Sequence, residues 1–363
     1  MKKSVIALAL LAAAGVASAQ SSVTLFGVLD ADVSHYSQNG TSKTLMSTSG
    51  LSSSQLGVRG VEDLGGGMAA GFWLEAAILN DTGLGNGTGG AVVFQRRSYL
   101  SLGGNWGQVR LGRDYTPTFW NHTVFDPFGT LGPGAGSNVS QTAGTNGAAG
   151  DNPATAARAS NGLSYLWGFA VNGSSAIGTG LYVQATYSFP ENLSGTAAAN
   201  RYTGVRVGFA NGPFNVAGAV ARSNSATTPL FQFKTWNIGG SYDLGMANLM
   251  AKYGVNDSDL AGSKHTFWSL GATVPLGAGY IPVSYGRIKQ NAVGSPGASQ
   301  FAVGYVHNLS KRTALYAAAS HISNRNGGNY TFAGGNGGGN PGFTGAAATG
   351  SGTGYDVGIR HSF

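Results

Sequence analysis

The last eleven residues, TGYDVGIRHSF (353–363), alternate strictly along the chain and end on an aromatic side chain. In an extended strand, Tyr355 and Phe363 would lie on one face, and Asp356 and Arg360 on the other. A period of two indicates a β-strand with two unlike environments, one for each face. The chain carries no polar tail after this strand, so the strand itself must serve the end of the fold.

The first nineteen residues, MKKSVIALALLAAAGVASA, have the pattern of a secretory signal peptide. Lys2 and Lys3 precede an apolar stretch, and Ala17-Ser18-Ala19 forms a cleavage site of small residues. The apolar stretch is too short for a membrane anchor. We therefore predict that residues 1–19 are removed and that residues 20–363 form a single domain. That domain contains no cysteine, so it folds without disulfides.

The composition is unusual for a soluble protein, because only 10% of the residues are charged, against roughly 25% in typical domains. The chain also has 61 Gly, 15 Tyr and 17 Phe. Disorder requires few aromatic residues and a high net charge, so it is excluded. No long mature segment is uniformly apolar, which excludes transmembrane helices. A transmembrane β-barrel remains, with an apolar lipid face and a polar lumen.

Alternation recurs along the chain in runs of about ten residues, which suits a tilted strand that crosses a membrane. Strands of soluble proteins average about five or six residues. One such run alone is weak evidence, because any half-buried strand alternates. The number of runs carries the argument, and clear examples lie at 22–34, 181–189, 235–243 and 247–255.

The connections between these runs are of two kinds, very short or longer and polar, as in outer-membrane barrels with periplasmic turns and external loops. We predict a closed antiparallel barrel of about sixteen strands, in which the last strand pairs with the first near Val23–Val33. Phe363 would then lie at the periplasmic interface. The short connections fall at 62–68, 103–107, 210–214, 242–247, 275–280 and 308–313, and the longer ones at 37–53, 80–91, 190–200, 291–297 and 324–352.

One connection is much longer than the others and separates a strand ending near Arg113 from one starting near Arg158. Loops of this length are usually functional or disordered. Its first part, DYTPTFWNHTVFDPFG (114–129), is rich in aromatic residues, and its second part is rich in Gly, Ala, Asn and Ser. We expect the first part to be packed and the second part to be looser.

Several motifs in their order along the chain resemble the general-diffusion porins of Gram-negative outer membranes, especially the trimeric porins of β-proteobacteria. The resemblance covers the whole mature chain. The motifs are SSVTLFGVLDADV (21–33), SQLGVRGVEDLGGG (54–67), RRSYLSLGG (96–104), GQVRLGRDYTP (107–117), DPFG (126–129), NLSKRTALY (308–316) and the terminal Phe363.

The resemblance implies a sixteen-stranded barrel, a homotrimer, a third loop folded into the pore and wall arginines that face acidic residues of that loop. Arg96 and Arg158 fall at two of the family's arginine positions. A third expected arginine is here Gln55, while Arg59 takes a nearby basic position. Asp126 stands at the loop tip, but it precedes the proline where related porins have a glutamate after it.

Strand alternation gives a second indication of which charged residues face the lumen. Arg96 and Arg97 are neighbours, so alternation does not choose between them, and the resemblance chooses Arg96. Asp114 fits a pairing or turn role. Alternation places Arg110, Arg158, Arg206, Arg360, Asp30, Asp32, Glu75, Asp243 and Asp356 on the inward face. The predicted constriction residues are Arg96, Arg158, Asp126, Arg59, Gln55 and Arg110, and Phe363 is the predicted assembly signal.

We therefore predict a multi-pass outer-membrane channel for passive diffusion of small hydrophilic solutes. The formal charge is +7, and removal of Lys2 and Lys3 leaves +5, so we expect a preference for anions. A substrate-selective porin for carboxylates, phosphate or sugars is the alternative within transport. A barrel-type hydrolase or an adhesin would share the fold, but no residues are grouped as a catalytic set.

The sequence predicts neither a cofactor nor a metal, because the six histidines are scattered without ligand spacing. The basic residues form no stripe, which argues against nucleic acid as a partner. The expected partners are two further copies of the chain, outer-membrane lipid and lipopolysaccharide, and transported solutes. The resemblance adds the barrel-assembly machinery, which would read the aromatic terminus.

Overall fold

The computed structural model describes residues 22–140, 156–190, 200–224, 231–259, 264–332, 343 and 349–363. The predicted signal peptide, residues 1–19, lies outside these ranges, so its removal stays a prediction. The strands are β1 (Ser22–Gln38), β2 (Thr41–Thr48), β3 (Gln55–Gly65), β4 (Met68–Leu79), β5 (Leu84–Gly85), β6 (Arg97–Gly104), β7 (Gly107–Tyr115), β8 (Arg158–Trp167), β9 (Gly180–Ser188), β10 (Tyr202–Asn211), β11 (Phe214–Asn224), β12 (Gln232–Asp243), β13 (Asn248–Ser258), β14 (His265–Leu276), β15 (Gly279–Gln290), β16 (Gly297–Asn308), β17 (Thr313–Arg325) and β18 (Ser351–Ser362).

These strands form a single closed antiparallel sheet in which consecutive strands are neighbours and β18 returns to β1. Both β2 and β3 pair with β1, at its two halves, so they are one barrel strand interrupted at 49–54. The two-residue β5 pairs only with the end of β4. Counting β2 and β3 together and setting β5 aside leaves sixteen barrel strands, which confirms the predicted fold class.

Phe363 completes the seam between the last and the first strand. The register runs from Gln38 opposite Gly352 to Val28 opposite Ser362. One pair further on, the Phe363 amide donates to the Gly27 carbonyl at 3.0 Å and the Gly27 amide donates to the Phe363 carbonyl at 3.1 Å. The Phe363 ring covers Gly27, where an added Cβ would lie 2.3 Å from it.

Alternation along the strands separates an exposed apolar outer surface from a polar inner wall. In β10, Val205 and Val207 are 38% and 46% exposed, whereas Arg206 between them is fully buried. Asp30, Asp32, Glu75, Arg110 and Asp356 are likewise buried on the inner side, as alternation predicted. Among the residues that the structure describes, no helix is long and apolar enough to cross a membrane.

The connection predicted as a long polar loop at 37–53 is instead a tight hairpin. Asn39 and Gly40 alone join β1 to β2, with φ values of 46° and 77°. Positive φ at both central residues defines the turn that Asn-Gly favours between twisted strands. The prediction was wrong because six of the eight residues in Thr41–Thr48 are polar and the two apolar ones, Leu45 and Met46, are neighbours, so the segment shows no alternation.

Three carboxylates lie together on the inner wall at the seam, and we call them the acidic cluster: Asp30, Asp32 and Asp356. The Tyr316 hydroxyl donates to the Asp30 carboxylate and lies 3.5 Å from Asp32 Oδ2. Both oxygens of Asp356 are buried and have no hydrogen-bond partner within the described ranges. None of the ion pairs between described residues involves these carboxylates.

Asp356→Asn should stabilise the barrel. A buried polar group without a hydrogen-bond partner typically costs about 1–3 kcal/mol of free energy. An amide of the same shape removes the repulsion from Asp30 and Asp32 and supplies donors to them. We expect a higher unfolding temperature for this variant, measured by loss of β-sheet circular dichroism. Asp257→Asn, at a partly exposed strand end, is the matched control, and equal shifts in both variants would contradict the prediction.

Candidate functional site: the arginine cluster and the third loop

Arg96 and Arg158 meet on the hydroxyl of Tyr115, the last residue of β7. Arg96 lies just before β6 and Arg158 begins β8, yet each donates from Nη2 to the phenolic oxygen at 2.7 Å. The sequence analysis predicted both arginines as constriction residues. The structure brings them together and identifies Tyr115 as their common acceptor, which the sequence pattern did not indicate.

Two carboxylates of the barrel wall hold the arginines. Glu75 Oε1 accepts from Arg96 Nε at 2.7 Å. Asp114 accepts from Arg97 Nε and from Arg110 Nη1, both at 2.8 Å. All of these side chains are at least nine-tenths buried. Asp114 therefore has the pairing role that was expected of it. We call Arg96, Arg97, Arg110, Arg158, Glu75, Asp114 and Tyr115 the arginine cluster.

Arg97 belongs to this cluster together with its neighbour Arg96, although alternation allowed only one of them inside. Strand β6 begins at Arg97, in register with Glu75, and Arg96 precedes the strand. The rule that neighbours point to opposite faces holds only within a strand, so it does not apply to this pair. The choice of Arg96 alone was wrong for that reason.

Aromatic rings fix the positions of the guanidinium groups. Arg97 Cζ lies 4.7 Å from the Trp73 ring centroid, and Arg158 Cζ lies 4.3 Å from that of Tyr115. Such cation–π contacts are worth about 0.5–2 kcal/mol each. The Trp73 indole in turn donates to Glu75 Oε2 at 2.9 Å. Polar partners and aromatic rings together therefore fix the positions of the guanidinium groups.

Arg59 and Gln55 lie on β3, next to the arginine cluster but outside its ion pairs. Arg59 Cζ is 5.1 Å from the Trp73 ring and 5.5 Å from the Phe26 ring. Neither Arg59 nor Gln55 makes a side-chain hydrogen bond to any described residue. Gln55 stands opposite Val28 and Ala77 at the start of the strand. Arg59, opposite Trp73, therefore contacts aromatic rings but no carboxylate of the described residues, and it lies closer to the short turns than Glu75 does.

The first part of the connection between β7 and β8, which we call the third loop, packs against inward residues of the barrel wall. Helix α1 (Pro117–Val124) begins after the cap Thr116, whose hydroxyl accepts from the Phe119 amide at 3.4 Å. Asn121 Nδ2 donates to the Ala217 carbonyl of β11 at 3.0 Å and to Asn237 Oδ1 of β12 at 2.7 Å. These bonds hold the helix against inward residues of the wall.

Asp126 pairs with Lys252 of β13, not with the arginines that the sequence placed opposite it. Lys252 Nζ lies 3.0 Å from Asp126 Oδ2, and both side chains are almost fully buried. The Gly136 amide donates to the same oxygen at 2.9 Å, which tightens the loop around its tip. Lys252 was missed, although it is a lone cation on the inward face of β13. We call the Lys252–Asp126 pair the loop latch.

Beyond the latch, the third loop reaches the other side of the wall. The Pro133 carbonyl accepts from Gln300 Nε2 of β16 at 3.1 Å, and the Ser140 carbonyl accepts from Asn256 Nδ2 of β13 at 2.7 Å. Gly132 lies against the seam, where an added Cβ would be 2.5 Å from the Gly50 carbonyl oxygen. The loop thus touches three separate sectors of the wall. Residues 141–155, which were expected to be looser, lie outside the described residues.

Lys252→Met should loosen the third loop and destabilise the protein. Removal of one partner leaves Asp126 as a buried uncompensated charge, which typically costs about 3–5 kcal/mol. We expect a lower unfolding temperature and faster proteolytic cleavage after the start of the loop. The double variant Lys252→Met with Asp126→Asn should recover part of the loss, because no charge is then left unpaired. A single variant as stable as the wild type would contradict this role of the latch.

His122 adds a pH-dependent contact to the latch. Its Nε2 lies 3.0 Å from Ser140 Oγ and 3.4 Å from Lys252 Nζ. Burial and the neighbouring ammonium hold the pKa of this imidazole well below its usual range. At acidic pH the His122 imidazole is therefore protonated in the unfolded chain but stays neutral in the folded chain. The contribution of His122 to the free energy of unfolding is therefore complete above the unfolded pKa of ~6.5. As the pH drops below that value, the free energy of unfolding falls by up to about 1.4 kcal/mol per pH unit.

That dependence predicts a smaller acid sensitivity for His122→Gln. We expect the unfolding temperature of the wild type to fall between pH 6.5 and pH 5 by more than that of the variant. The comparison uses the same detergent and salt at each pH, with His321→Gln, an exposed histidine of β17, as control. Parallel curves for wild type and His122→Gln would refute it.

The arginine cluster carries an excess of positive charge. It combines four guanidinium groups with two carboxylates, which leaves two positive charges. Three of its buried nitrogens, Arg96 Nη1, Arg110 Nε and Arg158 Nε, have no hydrogen-bond partner among described residues. No group of three or more His, Cys, Asp or Glu within the described ranges has the geometry of a metal site. The net positive charge of the cluster can attract anions.

A closed sixteen-stranded barrel with an apolar exterior and a charged, loop-filled interior defines a membrane channel of the outer-membrane type. A family model described as Gram-negative porin matches residues 5–327. The chain belongs to this porin family, and it is a multi-pass protein of the Gram-negative outer membrane. Members of this family are channels.

Two relatives extend this finding over the full length. The chain is 41% identical over 379 residues to outer membrane porin protein 32 of Delftia acidovorans, and the match covers both chains completely. Its structure is similar to that of the anion-selective porin from Comamonas acidovorans, with a TM-score of 0.79 and 36% identity over 95% of this chain and all of the other. A trimer form of OmpT from Vibrio cholerae, 14% identical with a TM-score of 0.65 over 94% and 99% of the two chains, shares the fold.

Proposed function

We propose that this porin is an anion-preferring diffusion pore whose selectivity is set by the arginine cluster. The observation that carries the proposal is the excess of two positive charges among side chains that aromatic rings and ion pairs hold in place. The relative from Comamonas acidovorans is itself described as anion-selective. Small hydrophilic anions would pass without any chemical step.

The physical reason is electrostatic focusing in a narrow pore with low-dielectric walls. At about 4 Å, two unit charges interact by about 1 kcal/mol in bulk water and about 4 kcal/mol at an effective dielectric constant of ~20. A wet constriction lies between these limits. An anion therefore finds a shallow well where a cation finds a barrier, and both effects weaken as salt shortens the screening length below about 8 Å.

The other predicted constriction residues would each have a different role in the pore. Arg59 would extend the positive potential towards the short-turn end of the pore, because it pairs with no carboxylate of the described residues. Gln55 would contribute a neutral polar contact in place of an arginine. Asp126 would act through the latch, holding the third loop in place, and its charge would be offset by Lys252.

We also propose that the chain assembles as a homotrimer, contacts lipopolysaccharide at its outer rim and has no catalytic activity. The resemblance to trimeric β-proteobacterial porins supports the trimer. Native mass spectrometry of the purified protein in detergent tests it, and a mass of one chain alone would contradict it.

Selectivity is tested by the zero-current potential of single channels in a tenfold gradient of KCl. We expect a sign that indicates chloride preference at low salt and a smaller preference when both solutions are raised towards molar salt. A channel that prefers potassium at low salt, or one whose preference does not change with salt, would overturn the electrostatic proposal.

A further inference from the structure

The connection between β8 and β9 differs from the other connections at the short-turn end of the barrel. The other hairpins at this end turn over two to four residues, whereas residues 168–179 lie between β8 and β9. We call residues 168–179 the inner turn. Its sequence, GFAVNGSSAIGT, contains no charged residue. The Thr179 amide donates to the Gly168 carbonyl at 2.8 Å, so the inner turn is an insertion that is closed at its base.

Asn172 holds one side of the inner turn against the inner wall. Its Oδ1 accepts from Ser101 Oγ of β6 at 2.6 Å and from Gln108 Nε2 of β7 at 2.5 Å. Its Nδ2 donates to the Ala70 carbonyl of β4 at 3.4 Å. The side chain lies over Gly71, where an added Cβ would be 2.7 Å from Asn172 Cγ. Because Ser101 and Gln108 are buried on the inward face, the inner turn lies inside the barrel mouth.

Arg206 holds the other side of the inner turn. This fully buried residue of β10 donates from Nη1 to the Ala176 carbonyl at 2.6 Å. Its Nε donates to Asn121 Oδ1 in helix α1 of the third loop at 3.1 Å. None of the ion pairs between described residues involves Arg206. One guanidinium of the wall therefore binds both the inner turn and the third loop.

The inner turn covers a wide sector of the wall on the short-turn side of the arginine cluster. It starts and ends between β8 and β9, yet it reaches β4 through Asn172 and β10 through Ala176. Arg110 Nη2 of the arginine cluster donates to the Gly173 carbonyl at 3.5 Å. The exposed residue Ser174 lies between these contacts along the chain. A solute that leaves the arginine cluster towards the short turns therefore meets this uncharged segment.

We propose that the inner turn is a second constriction of the pore and that Asn172 is the residue that positions it. The inference rests on the proposed diffusion pore and adds a steric filter to the electrostatic one. The arginine cluster selects by charge, whereas the uncharged inner turn limits the size of solutes that pass the short-turn mouth. Three wall strands on one side and Arg206 on the other keep it inside the lumen.

The first test shortens the inner turn. Residues 169–178 are replaced by Asn-Gly, a pair that favours tight hairpin turns, and the bond between Gly168 and Thr179 is left in place. Single-channel conductance is measured in KCl with neutral polyethylene glycols of graded size, added on one side of the membrane at a time. We expect larger polymers to enter from the short-turn side of the variant than of the wild type, with no change in entry from the long-loop side.

The same size limit from the short-turn side in both proteins would overturn the proposal, and so would an equal rise from both sides, which would mean that the whole pore has widened. Asn172→Ala tests the positioning role, with Ser174→Ala in the same turn as the matched control. We expect Asn172→Ala to raise the size limit from the short-turn side and Ser174→Ala to leave it unchanged. A lower unfolding temperature of Asn172→Ala with an unchanged size limit would mean that Asn172 only stabilises the barrel.

If the shortened variant does not fold, a chemical label replaces it, because the chain contains no cysteine. A bulky neutral thiol reagent added from the short-turn side should lower the conductance of Ser174→Cys. It should not lower that of Met246→Cys, at a position that is 76% exposed in the turn between β12 and β13. Complete labelling of Ser174→Cys without loss of current would overturn the constriction alone, whereas a wild type that forms no channels would contradict the proposed diffusion pore and this constriction with it.

Discussion

Replacement of Arg96 and Arg158 together by serine should move the zero-current potential in a salt gradient towards cation preference. The two arginines are half of the positive charge of the arginine cluster, so their loss brings the local balance from two positive charges to none. Glu75 would also lose its partner Arg96. If the electrostatic preference for an anion over a cation in the constriction decreases by about 1 kcal/mol, the ratio of anion to cation permeability falls about fivefold.

Two control variants test whether the shift in zero-current potential depends on the sign and the place of the charge removed. Glu75→Gln removes a negative charge at the same place and should strengthen the preference for anions. Arg222→Ser removes an arginine at the rim and should leave the potential close to that of the wild type. If the double serine variant and the wild type have the same potential, the arginine cluster does not set selectivity.

Deletion of Phe363 should sharply lower the amount of folded protein in the outer membrane. The deletion removes two backbone hydrogen bonds to Gly27, each worth about 0.5–1.5 kcal/mol net, and the ring that covers this glycine. It also shortens the seam that closes the sheet. The folded fraction is measured on membranes as the protein that resists protease and keeps its compact, heat-sensitive mobility in gels.

Two point variants separate the ring from the backbone. Phe363→Ala keeps the backbone pair with Gly27 and should assemble better than the deletion. Gly27→Leu places a side chain where the Phe363 ring lies and should impair assembly although the terminus is intact. Normal membrane levels of the deletion variant would mean that the terminal residue is not needed for assembly.

The fold could be predicted from sequence because it depends on a local, repeated pattern. Alternation with a period of two identifies each membrane strand, and it correctly predicts that Arg206 and Asp356 lie on the inner wall. The need to remove sheet edges then requires closure of the last strand on the first. The hairpin at Asn39–Gly40 marks the limit of such prediction, because the mostly polar strand after it has only two apolar residues, which are neighbours, and therefore no period of two to detect.

The site was only partly predictable, because it depends on contacts between residues far apart in sequence. Arg96 and Arg158 were predicted as constriction residues, but their common acceptor Tyr115 was not. The partner of Asp126 did not follow, because the path of the loop across the barrel decides that it meets Lys252 of β13. Arg97 was assigned wrongly because its orientation depends on where β6 begins, and alternation cannot locate a strand end to a single residue.

The third loop also has a mechanical consequence for the cylinder around it. It is tied to β11 and β12 through Asn121, to β13 through Lys252, and to β16 through Gln300. A hollow cylinder flattens easily under lateral pressure, but one braced from inside must first break its braces. The cross-section of this pore should therefore change little when the thickness or tension of the membrane changes, and solutes would meet the same opening in every state of the bilayer.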